Sequence, residues 1–183
     1  MALIYFVRHG KAAAGFGEDR DPGLNDLGDA QAAAIAPRLI AAAPVELISS
    51  PLRRARETAA PVEAALGRSA RIVQAISEIA SPMDDLTTRV EWVRAVMQGN
   101  WSDLTPAYQA WRRTIVDTLL GLPHDSVIFS HFVAINAAVS HALGVDNVTY
   151  FSPENCSVTV LDNSGGALRL VELGKASSET VVG

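Results

Sequence analysis

Apolar residues in this chain gather in short continuous runs that alternate with longer stretches of helical spacing. The runs at residues 3–7, 45–48 and 126–129 are dominated by apolar, largely β-branched or aromatic side chains, which predicts buried strands. Between them, apolar positions recur every three or four residues, which predicts amphipathic helices. We therefore predict an α/β fold, a three-layer α/β/α sandwich with a mostly parallel central sheet.

The ends of the predicted helices are marked by residues that cap or break helices. Asn25 is suited to cap the first helix, which Pro37 should kink or end early. Ser50 is suited to cap the second helix with Pro51 in its first turn, and Gly67 should end it. The remaining predicted helices span residues 84–98, 103–120 and 132–143.

The other segments complete one predicted domain over residues 1–183, with a cap-like helical insertion at about 80–122. We predict a strand at 71–76, a hairpin formed by 157–161 and 167–173, and a frayed polar tail at 174–183. The insertion holds all 3 tryptophans of the chain. They could fill the core between packed helices or shape a substrate pocket, and the sequence leaves both interpretations open.

Composition excludes several classes of partner. A net charge of −5 argues against nucleic acid or an anionic membrane, so an anion site would need a local concentration of arginine. No apolar run approaches the ~20 residues that a membrane helix needs. The single cysteine, Cys156, cannot form an intrachain disulfide, and the first residues lack the pattern of a signal peptide. We therefore expect a cytoplasmic protein.

Two histidines follow predicted strands at their carboxyl ends, where open α/β sheets bind ligands. Arg8 and His9 end the first strand, and Gly10 supplies the turn. Arginine offers a planar fork for phosphate or carboxylate, and histidine is a nucleophile or proton carrier near neutral pH. His131 repeats this placement before a helix, whose N-terminus favours an anion. The sequence therefore predicts an anion held beside an imidazole.

Other charged residues are less clearly assigned by spacing. Glu78 follows the strand at 71–76, where spacing alone fits a surface glutamate in a loop. Arg53, Arg54 and Arg56 lie in the first turns of the second helix, and one of them could point toward Arg8. The 4 histidines and 1 cysteine lack the spacing of a zinc site, so we expect no metal.

Taken in order, several of these motifs resemble the histidine phosphatase superfamily, also called the phosphoglycerate mutase-like family. They are Arg8-His9-Gly10, Ser50-Pro51-Leu52-Arg53-Arg54-Ala55 with Thr58-Ala59, and Ser130-His131. The helix opening Leu24-Asn25-x-x-Gly28-x-x-Gln31-Ala32 and the segment Asn155-x-Ser157-Val158-Thr159 are similar to that family too. The resemblance covers about the whole chain, is weakest at residues 79–124, and implies a phosphoglycerate mutase-like fold.

The resemblance also implies roles for five residues. His9 would attack phosphorus and become a phosphohistidine, while Arg8 and Arg54 hold the phosphoryl oxygens. The family's pocket arginine precedes alanine, which selects Arg54 over Arg53. His131 would hydrogen-bond the phosphoryl group. Glu78 would protonate the leaving oxygen and then activate water, and no metal or cofactor would be required.

Two departures from the family pattern shape the functional expectation. Phe132 and Val133 stand where the family often has two glycines, and should crowd the pocket mouth against large sugar phosphates. The chain is also short for a phosphoglycerate mutase and lacks a mutase-like run after Glu78. We expect a phosphatase that acts on a small phosphorylated molecule. The alternatives are a mutase-type phosphotransferase, a protein phosphohistidine phosphatase and a non-catalytic phosphate-binding module. The sequence does not decide the oligomeric state, and a homodimer is one option.

Overall fold

The computed structural model describes residues 2–177, which form one six-stranded sheet covered by helices on both faces. The strand order is β3-β2-β4-β1-β5-β6. The strands are β1 (Leu3–Arg8), β2 (Glu46–Ser49), β3 (Arg71–Ile72), β4 (Ser126–Ser130), β5 (Val158–Asp162) and β6 (Arg169–Glu172). The first four run parallel, and β5 and β6 are antiparallel additions beside β1. The mostly parallel sheet is therefore confirmed.

Alternation of side chains along the strands divides the core between the two faces of the sheet. The helices are α1 (Asp26–Ala41), α2 (Arg53–Leu66), α3 (Leu86–Gln98), α4 (Pro106–Leu120) and α5 (Phe132–Leu143). In β1, Ile4 and Phe6 pack with residues of α4 and α5, whereas Val7 packs with residues of α1 and α2. A strand places successive side chains on opposite faces, so this one run of sequence contributes to both halves of the core. The result is the predicted three-layer sandwich.

The segment predicted as a helical insertion contributes directly to the core. Trp101 is buried in the cluster that also contains Ile115 and Leu119 of α4. The Trp101 indole N–H donates to the hydroxyl of Ser140 on α5 over 2.9 Å, which satisfies its polar atom. Trp101 thus follows the core-filling interpretation. The domain boundaries and the cap-like insertion remain predictions.

Several helix ends follow the sequence prediction. Asn25 caps α1, its side chain accepting a hydrogen bond from the Gly28 N–H. Gly67 and Gly144 end α2 and α5 with φ of 63° and 67°, a left-handed conformation in which glycine avoids steric strain.

Four local predictions were wrong or only partly right. Helix α1 continues through Pro37 to Ala41. Helix α2 begins at Arg53 rather than after Ser50, although the Ser50 hydroxyl accepts a local hydrogen bond from the Leu52 N–H over 3.2 Å. The predicted third strand is two residues long and continues as a 3-10 turn at Gln74–Ile76.

The fourth of these predictions is the frayed tail at residues 174–183. Its first part is hydrogen-bonded, since the carbonyl of Lys175 accepts from the N–H of Glu154, and Ser177 N–H donates to Ser152 O. Residues 178–183 of that prediction lie outside the described residues. Within the described part of the chain, no helix combines the length and apolarity needed to cross a membrane.

Candidate active site

The two predicted histidine positions meet at the carboxyl edge of the sheet. Strands β1 and β4 are parallel neighbours with Arg8 paired to Ser130, so the residues that follow them emerge side by side. The ring centroids of His9 and His131 are 5.2 Å apart. A cavity of about 930 Å³ opens here and is lined by four of the five predicted site residues: Arg8, His9, Arg54 and Glu78. His131, the fifth, is fully buried beside His9.

His9 is held in a single tautomer. Its Nδ1 lies 2.8 Å from the carbonyl oxygen of Gly10, and because a carbonyl only accepts, Nδ1 carries the proton. The unprotonated Nε2 accepts a hydrogen bond from Nε of Arg54 over 3.1 Å. Burial, and then the charges of Arg54 and Arg8, hold the pKa of His9 well below 6.5. His9 is therefore neutral near pH 7, with the lone pair on Nε2.

Arg8 and Arg54 supply buried positive charge next to His9. The Arg8 guanidinium donates to the carbonyl of Pro153 over 2.7 Å and lies 5.3 Å from the centroid of the Phe132 ring. Burial lowers the pKa of Arg8 to about 10, which leaves it charged at neutral pH. Arg54 bridges His9 and Asp21, whose carboxylate lies 3.9 Å from Nη1 of Arg54. The pocket orientation predicted for Arg54 is what the structure shows.

Arg53, the alternative to Arg54, points away from the site. Its side chain is largely exposed and pairs with Glu57 one helical turn later over 2.7 Å. Glu57 also accepts a hydrogen bond from the N–H of Leu24. The phase of α2 therefore separates the two neighbouring arginines.

His131 is oriented by Ser50, which the sequence predicted as a helix cap. Its Nε2 lies 2.8 Å from the hydroxyl of Ser50, and its Nδ1 has no protein partner in the described part of the chain. Burial is the largest of the effects that hold its pKa well below 6.5, followed by the charge of Arg54. The contact joins positions 81 residues apart in sequence, so local capping rules could not predict it. The same hydroxyl also accepts from the Leu52 N–H over 3.2 Å.

Glu78 lies at the N-terminus of α5 rather than in a solvated loop. Its carboxylate accepts from the N–H of Val133 at 3.1 Å and from the N–H of Ile79 at 3.0 Å. Both hydrogen bonds and the nearby arginines favour the ionised form, but burial dominates and raises the pKa of Glu78. The segment that carries Glu78 is anchored by the Ser130 hydroxyl, which donates to Ile76 O over 2.6 Å. The pKa of Glu78 is thus above that of an exposed glutamate, which favours its protonated form.

Sequence reasoning missed positioning contacts made by Thr58 and Asn155. The buried Thr58 hydroxyl accepts from the Gly10 N–H over 3.0 Å and donates to Arg54 O over 2.7 Å. The Asn155 side chain donates to the carbonyl of His9 over 2.9 Å. Both residues stood in the family-like motifs, but these motifs gave no indication of their partners. Together these contacts fix the peptide group that joins His9 to Gly10.

The site is suited to an anion. Two buried arginines and the neutral imidazole of His9 line the cavity, and the imidazole of His131 lies beside His9. Among residues 2–177, no group of three or more histidine, cysteine, aspartate or glutamate side chains is arranged to hold a metal ion.

Comparison with known proteins shows the family of this chain. Residues 4–176 match the family model of the histidine phosphatase superfamily, branch 1. The chain belongs to this superfamily. The expected family resemblance is therefore confirmed, and it extends through the segment where the motifs were weakest.

This histidine phosphatase superfamily member is similar both to a protein named as a mutase and to proteins named as phosphatases. A probable phosphoglycerate mutase, GpmB, from Erwinia tasmaniensis is 27% identical over 184 residues, covering 89% of this chain and 86% of that protein. A mycobacterial glucosyl-3-phosphoglycerate phosphatase superposes with a TM-score of 0.72 at 20% identity, covering 97% of this chain and 100% of the other. A phosphoserine phosphatase from Entamoeba histolytica, in complex with 3-phosphoglyceric acid, gives a TM-score of 0.73 at 18% identity, covering 97% and 98%. These two structures confirm the phosphoglycerate mutase-like fold.

Proposed function

We propose that this protein is a metal-independent phosphatase that hydrolyses a small phosphomonoester through a phosphohistidine on His9. The observation that carries the proposal is the state of His9. Its proton is held on Nδ1 by Gly10, so the lone pair on Nε2 is available beside two buried arginines. A neutral imidazole next to fixed positive charge suits nucleophilic attack on a phosphate.

In the first step, Nε2 of His9 attacks phosphorus and the bond to the ester oxygen breaks. Arg54 must first release Nε2, and the phosphoryl oxygens offer it a charge-assisted hydrogen bond in exchange. Arg8, Arg54 and His131 stabilise the charge that spreads over the phosphoryl oxygens. Protonated Glu78 gives its proton to the leaving oxygen, and the raised pKa favours that protonated form.

In the second step, water attacks the phosphohistidine and the P–N bond breaks. Glu78, now ionised, accepts the proton from water, and inorganic phosphate leaves with Nε2 restored. Lys11, Glu18 and Asp19 line the cavity and are exposed to solvent, which gives water a path to the intermediate. This access favours hydrolysis over transfer to a second alcohol.

The mutase remains a second candidate because one relative carries that name. A mutase would interconvert 2- and 3-phosphoglycerate, whereas a phosphatase would release inorganic phosphate from them. A protein phosphohistidine phosphatase would instead act on a phosphorylated histidine protein, and a non-catalytic module would release no phosphate from any substrate.

The decisive experiment traps the intermediate. The protein is mixed with a ³²P-labelled phosphomonoester in EDTA, quenched rapidly in alkali, and compared with His9→Ala and with the exposed control His124→Ala. A phosphohistidine is stable in base and labile in acid. We expect acid-labile label in the wild type and His124→Ala but none in His9→Ala. Label that survives acid, or that appears in His9→Ala, would contradict the proposal.

A further inference from the structure

Asp21 forms an ion pair with Arg54 but lies outside the cavity. It belongs to the loop between β1 and α1, and its Oδ1 is 3.9 Å from Nη1 of Arg54. In the part of the chain that the structure describes, no other carboxylate forms an ion pair with Arg54. The Asp21 side chain is about half exposed and does not line the cavity. Asp21 is therefore in contact with Arg54 without being in contact with a ligand of the cavity.

The same carboxylate oxygen binds the helix that carries Arg54. Oδ1 of Asp21 accepts a hydrogen bond over 2.8 Å from the N–H of Arg53, the first residue of α2. The residue before the helix, Leu52, makes no side-chain capping bond, and the first turn of α2 has no acidic residue. A carboxylate at a helix N-terminus satisfies a free N–H group and is favoured by the helix dipole. Asp21 thus supplies, from 32 residues away, the acceptor that the sequence around α2 lacks.

The chain around Asp21 is held against the first turns of α2. The N–H of Leu24 donates to Oε2 of Glu57 over 2.6 Å. A Cβ built on the buried Gly23 would lie 2.7 Å from the same oxygen and 2.8 Å from Nε of Arg53, so the loop passes directly over this ion pair. These contacts fix the backbone on the C-terminal side of Asp21, although its own side chain is partly solvated.

The distance between Asp21 and Arg54 leaves the donors of the guanidinium free. A separation of 3.9 Å is an ion pair but too long for a hydrogen bond. The one hydrogen bond that the Arg54 side chain makes within residues 2–177 is from Nε to Nε2 of His9. Arg54 is thus drawn toward Asp21 at Nη1 and bound to His9 at Nε, while its Nη groups keep their N–H donors for another anion.

We infer that Asp21 is a positioning residue that directs the Arg54 guanidinium at the transferred phosphoryl group. This inference rests on the proposed function and adds a residue to its machinery. Burial lowers the pKa of Arg54, and Glu78 and then Asp21 are the carboxylates that most oppose that effect. Glu78 is protonated in the proposed first step, which leaves Asp21 as the main negative partner of Arg54.

The substitution Asp21→Asn separates the charge from the helix cap. Asparagine keeps an oxygen that can accept from the Arg53 N–H, and asparagine is as good a capping residue as aspartate. We expect kcat/KM for p-nitrophenyl phosphate to fall roughly threefold to tenfold, which is more than most exposed ion pairs contribute because Arg54 is buried. Asp29→Asn removes the same charge from an exposed position on α1 outside the cavity, and should leave kcat/KM unchanged.

The affinity for inorganic phosphate distinguishes positioning from a general effect of charge. Removal of a negative charge near the site should by itself tighten the binding of an anion. If Asp21 positions Arg54, Asp21→Asn should instead weaken it, by roughly threefold or more, in titration calorimetry at constant ionic strength. Circular dichroism checks that the fold is kept. Unchanged or tighter phosphate binding in Asp21→Asn overturns the inference.

A double-mutant cycle tests whether Asp21 acts through Arg54. When Arg54→Ala is already present, adding Asp21→Asn should cause no further loss of kcat/KM, because the side chain that Asp21 positions is gone. The same fold loss in both backgrounds would show that Asp21 acts elsewhere, and would reject the inference. Phosphate binding requires no turnover, so weaker binding in Asp21→Asn supports the inference even if no phosphohistidine is trapped. Binding equal to that of the wild type rejects it even if the phosphohistidine is found.

Discussion

We expect the Thr58 hydroxyl to fix the position of the proposed nucleophile, His9, relative to Arg54. It joins the Gly10 N–H, next to His9, to the carbonyl of Arg54, and both of its hydrogen-bonding roles are used. Thr58 is fully buried, so no water can replace it without rearrangement. The substitution Thr58→Val keeps the shape of the side chain and removes only the hydroxyl. It therefore tests the two hydrogen bonds to Gly10 and Arg54 directly.

The size of the effect follows from what Thr58→Val leaves behind. The buried N–H of Gly10 loses its partner, which typically destabilises a protein by about 1–3 kcal/mol. The larger consequence concerns position, because a displacement of about 1 Å at reacting groups can reduce the rate roughly 10²-fold. We therefore expect a modest fall in Tm and a fall in kcat/KM of up to roughly 10²-fold.

The assay is kcat/KM for p-nitrophenyl phosphate, measured well below the Tm of each variant, with circular dichroism confirming the fold. Thr58→Ser keeps the hydroxyl and should recover most of the activity, although it loses a buried methyl group. If Thr58→Val lowers Tm but keeps wild-type kcat/KM, the hydroxyl stabilises the fold without positioning the site, and the reasoning is refuted.

The remaining predictions concern the general acid Glu78, the phosphate-binding Arg54 and the packing of Gly28 beneath the site. Glu78→Gln should reduce kcat/KM for alkyl phosphates by ~10²–10⁴-fold and for p-nitrophenyl phosphate far less, since p-nitrophenolate leaves without a proton; equal losses would contradict an acid role. In the wild type, kcat/KM should fall as pH rises through the raised pKa of Glu78, and a pH–rate profile of Glu78→Gln should lack that limb. Arg54→Ala should reduce kcat roughly 10²-fold, whereas steady-state assays of Arg53→Ala should stay near wild type; similar losses would mean that the clamp is misassigned. Gly28→Ala should lower Tm in a thermal melt, although alanine is the better helix former, because the new Cβ meets Lys11 O; a higher Tm would show that the turn can move.

The sequence predicted those features of the fold that depend on neighbouring residues. The continuous apolar run before Arg8 gave β1 and the position of His9. Helix α5 was predicted at both ends, because β4 runs directly into it and Gly144 adopts a left-handed conformation after it. The separation of Arg54 from Arg53 required the family resemblance, since helical spacing alone leaves the choice open.

Contacts between distant segments were beyond sequence reasoning. The Ser50 hydroxyl accepts from the nearby Leu52 N–H, as local rules suggest, but its contact with the distant His131 depends on the fold. Glu78 is partly buried where its carboxylate accepts from the Val133 N–H at the N-terminus of α5, and no residue near position 78 indicates that contact. Helix α1 likewise continues past Pro37, although local rules favour a break there.

The charge arrangement of the site explains how one carboxyl group can serve in both proposed steps. In the free protein, burial raises the pKa of Glu78 while Arg54 and Arg8 lower it, so the two influences oppose each other. A bound phosphoryl dianion neutralises those arginines and therefore removes the influence that favours ionisation. Substrate binding thus promotes the protonated acid that the first step needs. Once the leaving group has taken the proton, Glu78 is ionised next to the arginines and the Val133 N–H, which is the state required to accept a proton from water.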